Sequence, residues 1–172
     1  MKALKTILTA GLIFACMSLT AQVNFSGTWS LNPEKSEFGG GPGGGGAPGG
    51  RMGGGAPMIV TQSGNKLSVE RTMGGFGGGE ATSNVTNYSL DGNPTENTRT
   101  SPMGEMTSKS TAKWSADKKS LTIATTMSFD GMDMTSTETW KLSADGKTLS
   151  VESVRPGFDG GEMKSTMVYD KQ

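Results

Sequence analysis

The sequence predicts an all-β domain: an antiparallel up-and-down meander of eight to ten strands, closed into a barrel. Three observations point there. Outside the glycine-rich runs, no window places apolar residues at helical spacing. What recurs instead is a stretch of alternating apolar and polar residues, a turn of Asp, Gly, Asn or Lys, and another such stretch. When these hairpins are closed on their turn residues, the large apolar side chains gather on one face.

Taken in order, the chain opens with Lys2 and Lys5, an apolar stretch from Ile7 to Ala15, and small residues at Thr20 and Ala21. This is the pattern of a secretory signal peptide, residues 1–21, cleaved after Ala21. The rival reading takes Ile13-Phe14-Ala15-Cys16 as a lipobox with an acylated Cys16. Phe14 suits that motif badly, and the residues after Cys16 stay apolar. The expected mature protein, 22–172, is exported, either periplasmic or secreted, and forms one barrel domain. It carries fourteen basic and sixteen acidic side chains, a net charge of −2 that does not invite nucleic acid. No stretch is long and apolar enough for a transmembrane helix.

Residues 39–55 (GGGPGGGGAPGGRMGGG) offer almost nothing to bury and read as a flexible loop. A second run, Gly74 to Gly79 broken by Phe76, superficially resembles a nucleotide-binding fingerprint. A strand pattern follows it instead of a helix, so it too reads as a loop. Strands are expected near 25–31, 57–63, 66–73, 82–90, 94–100, 106–115, 119–129, 132–143, 147–155 and 163–170.

Residues facing each other across a hairpin share a side of the sheet, so two-residue turns fix the register. An Asp130-Gly131 turn pairs Phe129 with Met132, Met127 with Met134, Ile123 with Glu138 and Leu121 with Trp140. An Asp117-Lys118 turn pairs Trp114 with Leu121, and an Asp145-Gly146 turn pairs Leu142 with Leu149 and Trp140 with Val151. A Gly64-Asn65 turn sets Val60 opposite Val69. A sheet of this length would expose two edges and an apolar face, and closure into a barrel removes both problems. A two-sheet sandwich is the alternative.

Phe25-Ser26-Gly27-Thr28-Trp29 places a G-x-W triplet on the first strand, which resembles the first motif of the lipocalins. The resemblance implies a calycin-type barrel in which Trp29 closes one end near an arginine from a late strand, and Arg155 is the late arginine here. The chain also resembles a group of exported proteins of Gram-negative bacteria with no established activity. That resemblance rests on FSGTWSLNPEKSEFG, ETWKLSADGKTLSVES and MVYDK.

The chain has no histidine, and Cys16 is its only cysteine. Histidine-assisted nucleophiles, the usual zinc sites and disulfides are thereby excluded. Asp91, Asp117, Asp130 and Asp145 occupy hairpin turns, which gives them a structural role in place of acid and base work. The expected protein is not an enzyme and takes no metal or other cofactor. Its inner face instead reads as a binding surface. Trp114 and Trp140 belong to an apolar layer at one end, and Met127, Phe129, Met132 and Met134 lie at the other. Between them is a polar belt with Glu138 and Arg155, the two placed diagonally as an ion pair, while Arg71 points inward on its own hairpin.

The function expected is an exported binding module for a small apolar or amphipathic molecule. Arg71 or Arg155 would receive its charged head and the thioethers its apolar part. Two alternatives stand beside it: an envelope or surface protein with a solid barrel that meets an undefined protein partner, and Cu(I) binding by methionine sulfur.

Overall fold

The computed structural model describes residues 22–38, 56–73, 82–101, 104–129, 132–157 and 160–172. The expected signal segment 1–21, the glycine-rich runs and the Asp130-Gly131 turn lie outside these residues. The described strands are β1 (Gly27–Leu31), β2 (Met58–Ser63), β3 (Lys66–Met73), β4 (Thr82–Ser89), β5 (Thr95–Ser101), β6 (Gly104–Trp114), β7 (Ser120–Phe129), β8 (Met132–Leu142), β9 (Thr148–Pro156) and β10 (Glu162–Lys171), with one 3-10 turn at Pro33–Lys35.

All ten strands form one antiparallel sheet in the order β4-β3-β2-β1-β10-β9-β8-β7-β6-β5, wrapped into a nearly closed barrel. A single continuous sheet rules out the two-sheet sandwich. Every hairpin register expected above is present: Phe129 with Met132, Met127 with Met134, Trp114 with Leu121, Leu142 with Leu149 and Val60 with Val69. The pairing of β1 with β10 turns the meander into a wall, with Trp29 opposite Lys171.

Closure is completed at the β4–β5 seam by side chains. The Asn87 N–H donates to Asn97 Oδ1 at 2.8 Å, and Asn97 Nδ2 donates back to the Asn87 carbonyl at 2.9 Å. The Ser89 N–H donates to Thr95 Oγ1 at 2.9 Å. The Asn97 carboxamide thus satisfies a donor and an acceptor that an edge strand would leave unpaired.

One end of the barrel is solid. Trp29, Leu67, Val69, Leu121, Trp140, Leu149 and Val151 are fully buried there. Phe25 is driven in from below, stacked on Trp114 (centroids 5.7 Å apart, planes 7° apart) and edge-on to Trp140 (5.7 Å, 80°). Gln62 holds this plug by accepting from the Phe25 N–H (3.0 Å) and donating to the Val23 carbonyl (3.0 Å). The G-x-W triplet has a local reason. A Cβ on Gly27 would come within 2.8 Å of Lys171 Cε, and the Lys171 ammonium lies over the Trp29 ring, 5.4 Å from its centroid. The cation beside this tryptophan is therefore a β10 lysine. Arg155, which the resemblance offered for that place, is exposed on β9.

The turns at the solid end repeat one bracket. In Ser89-Leu90-Asp91, Ser115-Ala116-Asp117 and Ser143-Ala144-Asp145 the serine hydroxyl donates to the aspartate at 2.6 Å. A following backbone N–H, of Asn93, Lys119 or Lys147, donates to the same carboxylate. The serine hydroxyl first, and then that backbone N–H, hold all three carboxyls below their ordinary pKa. A depressed folded-state pKa gives stability that is present above the unfolded value, near pH 4, and is lost as pH falls through the folded value. Thermal melts followed by circular dichroism should therefore show Tm falling below about pH 4. Replacing Ser89, Ser115 and Ser143 together by alanine should flatten that fall, and an unchanged acid profile would show that the brackets do not set it.

Candidate binding site in the open half of the barrel

Burial of the inward positions drops steadily from the solid end toward the other. Along β7, Leu121 and Ile123 are buried, while Thr125 and Met127 are half-buried. Along β8, Trp140 is buried, the Glu138 side chain keeps 26% of its surface, Met134 is 46% exposed and Met132 63% exposed. An inward side chain that remains exposed is within reach of solvent, so the barrel is open at the end away from the aromatic plug, and this open half is the cup.

At the floor of this cup a polar brace crosses the interior. Arg71, inward on β3 beyond Leu67 and Val69, places Nη2 3.7 Å from Glu138 Oε2 on β8, five steps away around the sheet. Trp140 Nε1 donates to the same carboxylate oxygen at 2.9 Å, and the Arg71 guanidinium lies 5.8 Å from the Trp140 ring centroid. Nη2 itself is buried and makes no hydrogen bond.

Burial opposes the Arg71 charge. The Glu138 carboxylate, and after it the Tyr88 and Tyr169 phenols, outweigh that effect and raise its pKa above the ordinary arginine value. Burial likewise pushes the Tyr88 and Tyr169 phenols up, against the opposing pull of Arg71. At neutral pH Arg71 is thus a cation and the two phenols are neutral.

This arrangement corrects the expected pairing of Glu138 with Arg155. Glu138 does lie opposite Ser153, two positions from Arg155. The partner it takes is Arg71, reached across the interior, and Arg155 has no ion pair among the described residues. Arg71 is accordingly part of the floor, with 32% of its side-chain surface still exposed.

The other expected residues fall in the open half. Met127 and Met134 are cross-strand partners on the inner face, and Met132 stands nearer the mouth, opposite position 129. Phe129 occupies its expected place in the strand. Trp29, Trp114 and Trp140 belong to the solid end, as expected. The sequence reading missed Arg99, which pairs with Met106 on β6 and donates to its sulfur at 3.8 Å. The pairing of Ser101 with Gly104 sets position 99 opposite position 106.

Two open grooves mark the outer wall, of about 580 Å³ beside Glu96, Glu105, Lys109 and Asp133, and about 460 Å³ beside Thr111, Lys113 and Thr122. Neither is lined by a residue of the brace. Their acidic residues form no group able to hold a metal ion, and among the described residues no helix is long and apolar enough to cross a membrane.

No protein-family model matches the chain, and no curated protein matches it. Among solved structures it is similar to the zebrafish ileal bile acid-binding protein in complex with cholic acid. The identity is 15% and the TM-score 0.48, over 86% of this chain and 98% of that one.

Proposed function

We propose that this chain is an exported, non-catalytic binding module that holds a small amphipathic or apolar molecule in its cup. The observation that carries this reading is the burial gradient of the inner wall. Trp140 at the floor is sealed, while Met134 and Met132 on the same strand face open space. A fold that only needed stability would fill those positions against one another. Flexible, polarisable thioethers on an open concave wall suit an apolar guest of variable shape. Export follows from the charged, apolar and small-residue order of positions 1–21.

The test uses residues 22–172 and a fluorescent fatty-acid probe. One probe per protein is expected, with emission shifted as in an apolar site. Ser136, half-buried on the inner face of β8, is the place to block the cup. Ser136→Trp should weaken the probe at least about tenfold, since the indole would fill the space it needs. Undiminished binding by that variant would move the site to the outer grooves and overturn the proposal, as would absence of binding by the unaltered protein.

A further inference from the structure

The brace leaves a question of charge. Arg71 is already committed to Glu138 and to the face of Trp140, so an incoming anion would have to displace a carboxylate to reach it. Arg155 has no such commitment. It lies on the inner face of β9, exposed, with no ion pair and no hydrogen bond among the described residues.

Its direct partner on β10 is Met163, and three serines lie around it. Ser153 is two positions away on the same strand and pairs with Ser165 on β10. Thr137 pairs with Val154, so Ser136 on β8 and Arg155 are the adjoining positions of the same register. All three serines are half-buried, and none of their hydroxyls bonds to another protein group among the described residues. Two other inward hydroxyl sites of the barrel are engaged: Ser110 with Thr125 at 2.9 Å, and Ser108 with the Asn97 carbonyl at 3.3 Å. A free guanidinium fork and three free hydroxyls thus converge on one patch of wall, with cross-strand neighbours only about 5 Å apart at Cβ. Among the described residues the inward carboxylate facing this patch, Glu138 opposite Ser153, is held at the brace by Trp140 Nε1 and Arg71.

We infer that Arg155, Ser136, Ser153 and Ser165 form the head-group site of the cup, and that it takes the phosphate of a single-chain amphiphile. This rests on the cup being the binding site. The donor count selects the head: a carboxylate has two oxygens to satisfy, whereas a phosphate monoester offers three terminal oxygens to the fork and the hydroxyls. The chain then passes Met163, level with Arg155, and runs toward the mouth along Met134 and Met127. Serine at these positions keeps the wall recessed where a larger strand-forming residue would close it.

Calorimetric titration of residues 22–172 with monododecyl phosphate, laurate and dodecanol tests the assignment. The phosphate should bind most tightly, at least about tenfold above the alcohol, with laurate between them. Arg155→Gln, at an exposed position the fold does not need, should bring the phosphate-to-alcohol ratio to within about twofold. Replacing Ser136, Ser153 and Ser165 together by alanine should erase the advantage of phosphate over laurate. Laurate bound as tightly as the phosphate, or a phosphate preference that survives Arg155→Gln, would overturn the head-group site while leaving the cup in place. If the unaltered protein takes up none of the three compounds, the cup itself is wrong.

Discussion

Trp140→Ala should cost about 3–5 kcal/mol of unfolding free energy, the range for deleting a fully buried aromatic side chain. For a domain of this size that is a drop in Tm on the order of 10 °C. The magnitude follows from what the indole touches. It is sealed from solvent, sits between Leu121 and Val151 on the neighbouring strands, and receives the edge contact of Phe25. Its N–H also satisfies Glu138, and its face lies beside the Arg71 guanidinium. Truncation would leave a cavity at the floor and strip a hydrogen bond from a carboxylate that needs it. Trp140→Phe keeps most of the ring and should recover most of the loss. Urea melts with an unchanged m-value would assign the effect to the folded state, and a loss below about 1 kcal/mol would mean that the floor is loosely packed.

That indole was readable as a core residue before any coordinates because hairpins are local. A two-residue turn fixes which residues face each other, and the period of two carries the choice along both strands, so the inner face of β6 to β9 followed from the turns at Asp117, Asp130 and Asp145. The contacts that close the molecule are of another kind. Pairing of β1 with β10 joins residues about 140 positions apart, such as Trp29 and Lys171, and no turn specifies it. The Asn97 seam and the Phe25 plug belong to the same class. Each depends on where two distant segments end up once the sheet has curled.

The candidate site divides along the same line. Alternation placed Arg71, Glu138 and Arg155 on the inner face correctly, and the diagonal rule then joined Glu138 to Arg155 as neighbours within the sheet. The rule has no view across the interior. Glu138 is drawn the other way because Trp140, two positions along its own strand, fixes the carboxylate beside Arg71 from the opposite wall. The serines around Arg155 carried no signal of their own in the sequence. What sets them apart from outward serines such as Ser68 and Ser150, whose hydroxyls are equally without partners among the described residues, is their inward place around Arg155.

The Arg71–Glu138 brace should reveal itself as a coupled pair. Glu138→Ala removes the counter-charge from a guanidinium whose Nη2 is buried and makes no hydrogen bond. A dry pair broken in this way loses 3–5 kcal/mol; here Arg71 keeps 32% and Glu138 26% of its side-chain surface exposed, so water screens the remaining charge and about 1–3 kcal/mol is expected. Replacing both partners at once, Arg71→Met with Glu138→Leu, avoids the stranded charge and should fall close to the unaltered protein. A double-mutant cycle in urea should therefore give a coupling energy on the order of 1–2 kcal/mol, and additive losses would show that the two groups are independently hydrated. The same variants bear on the cup. With its carboxylate gone, Arg71 becomes a second unpaired cation beneath the first, and Glu138→Ala should bind laurate more tightly than the unaltered protein does. If laurate affinity is unmoved while stability falls, the brace holds the floor together and takes no part in choosing what enters above it.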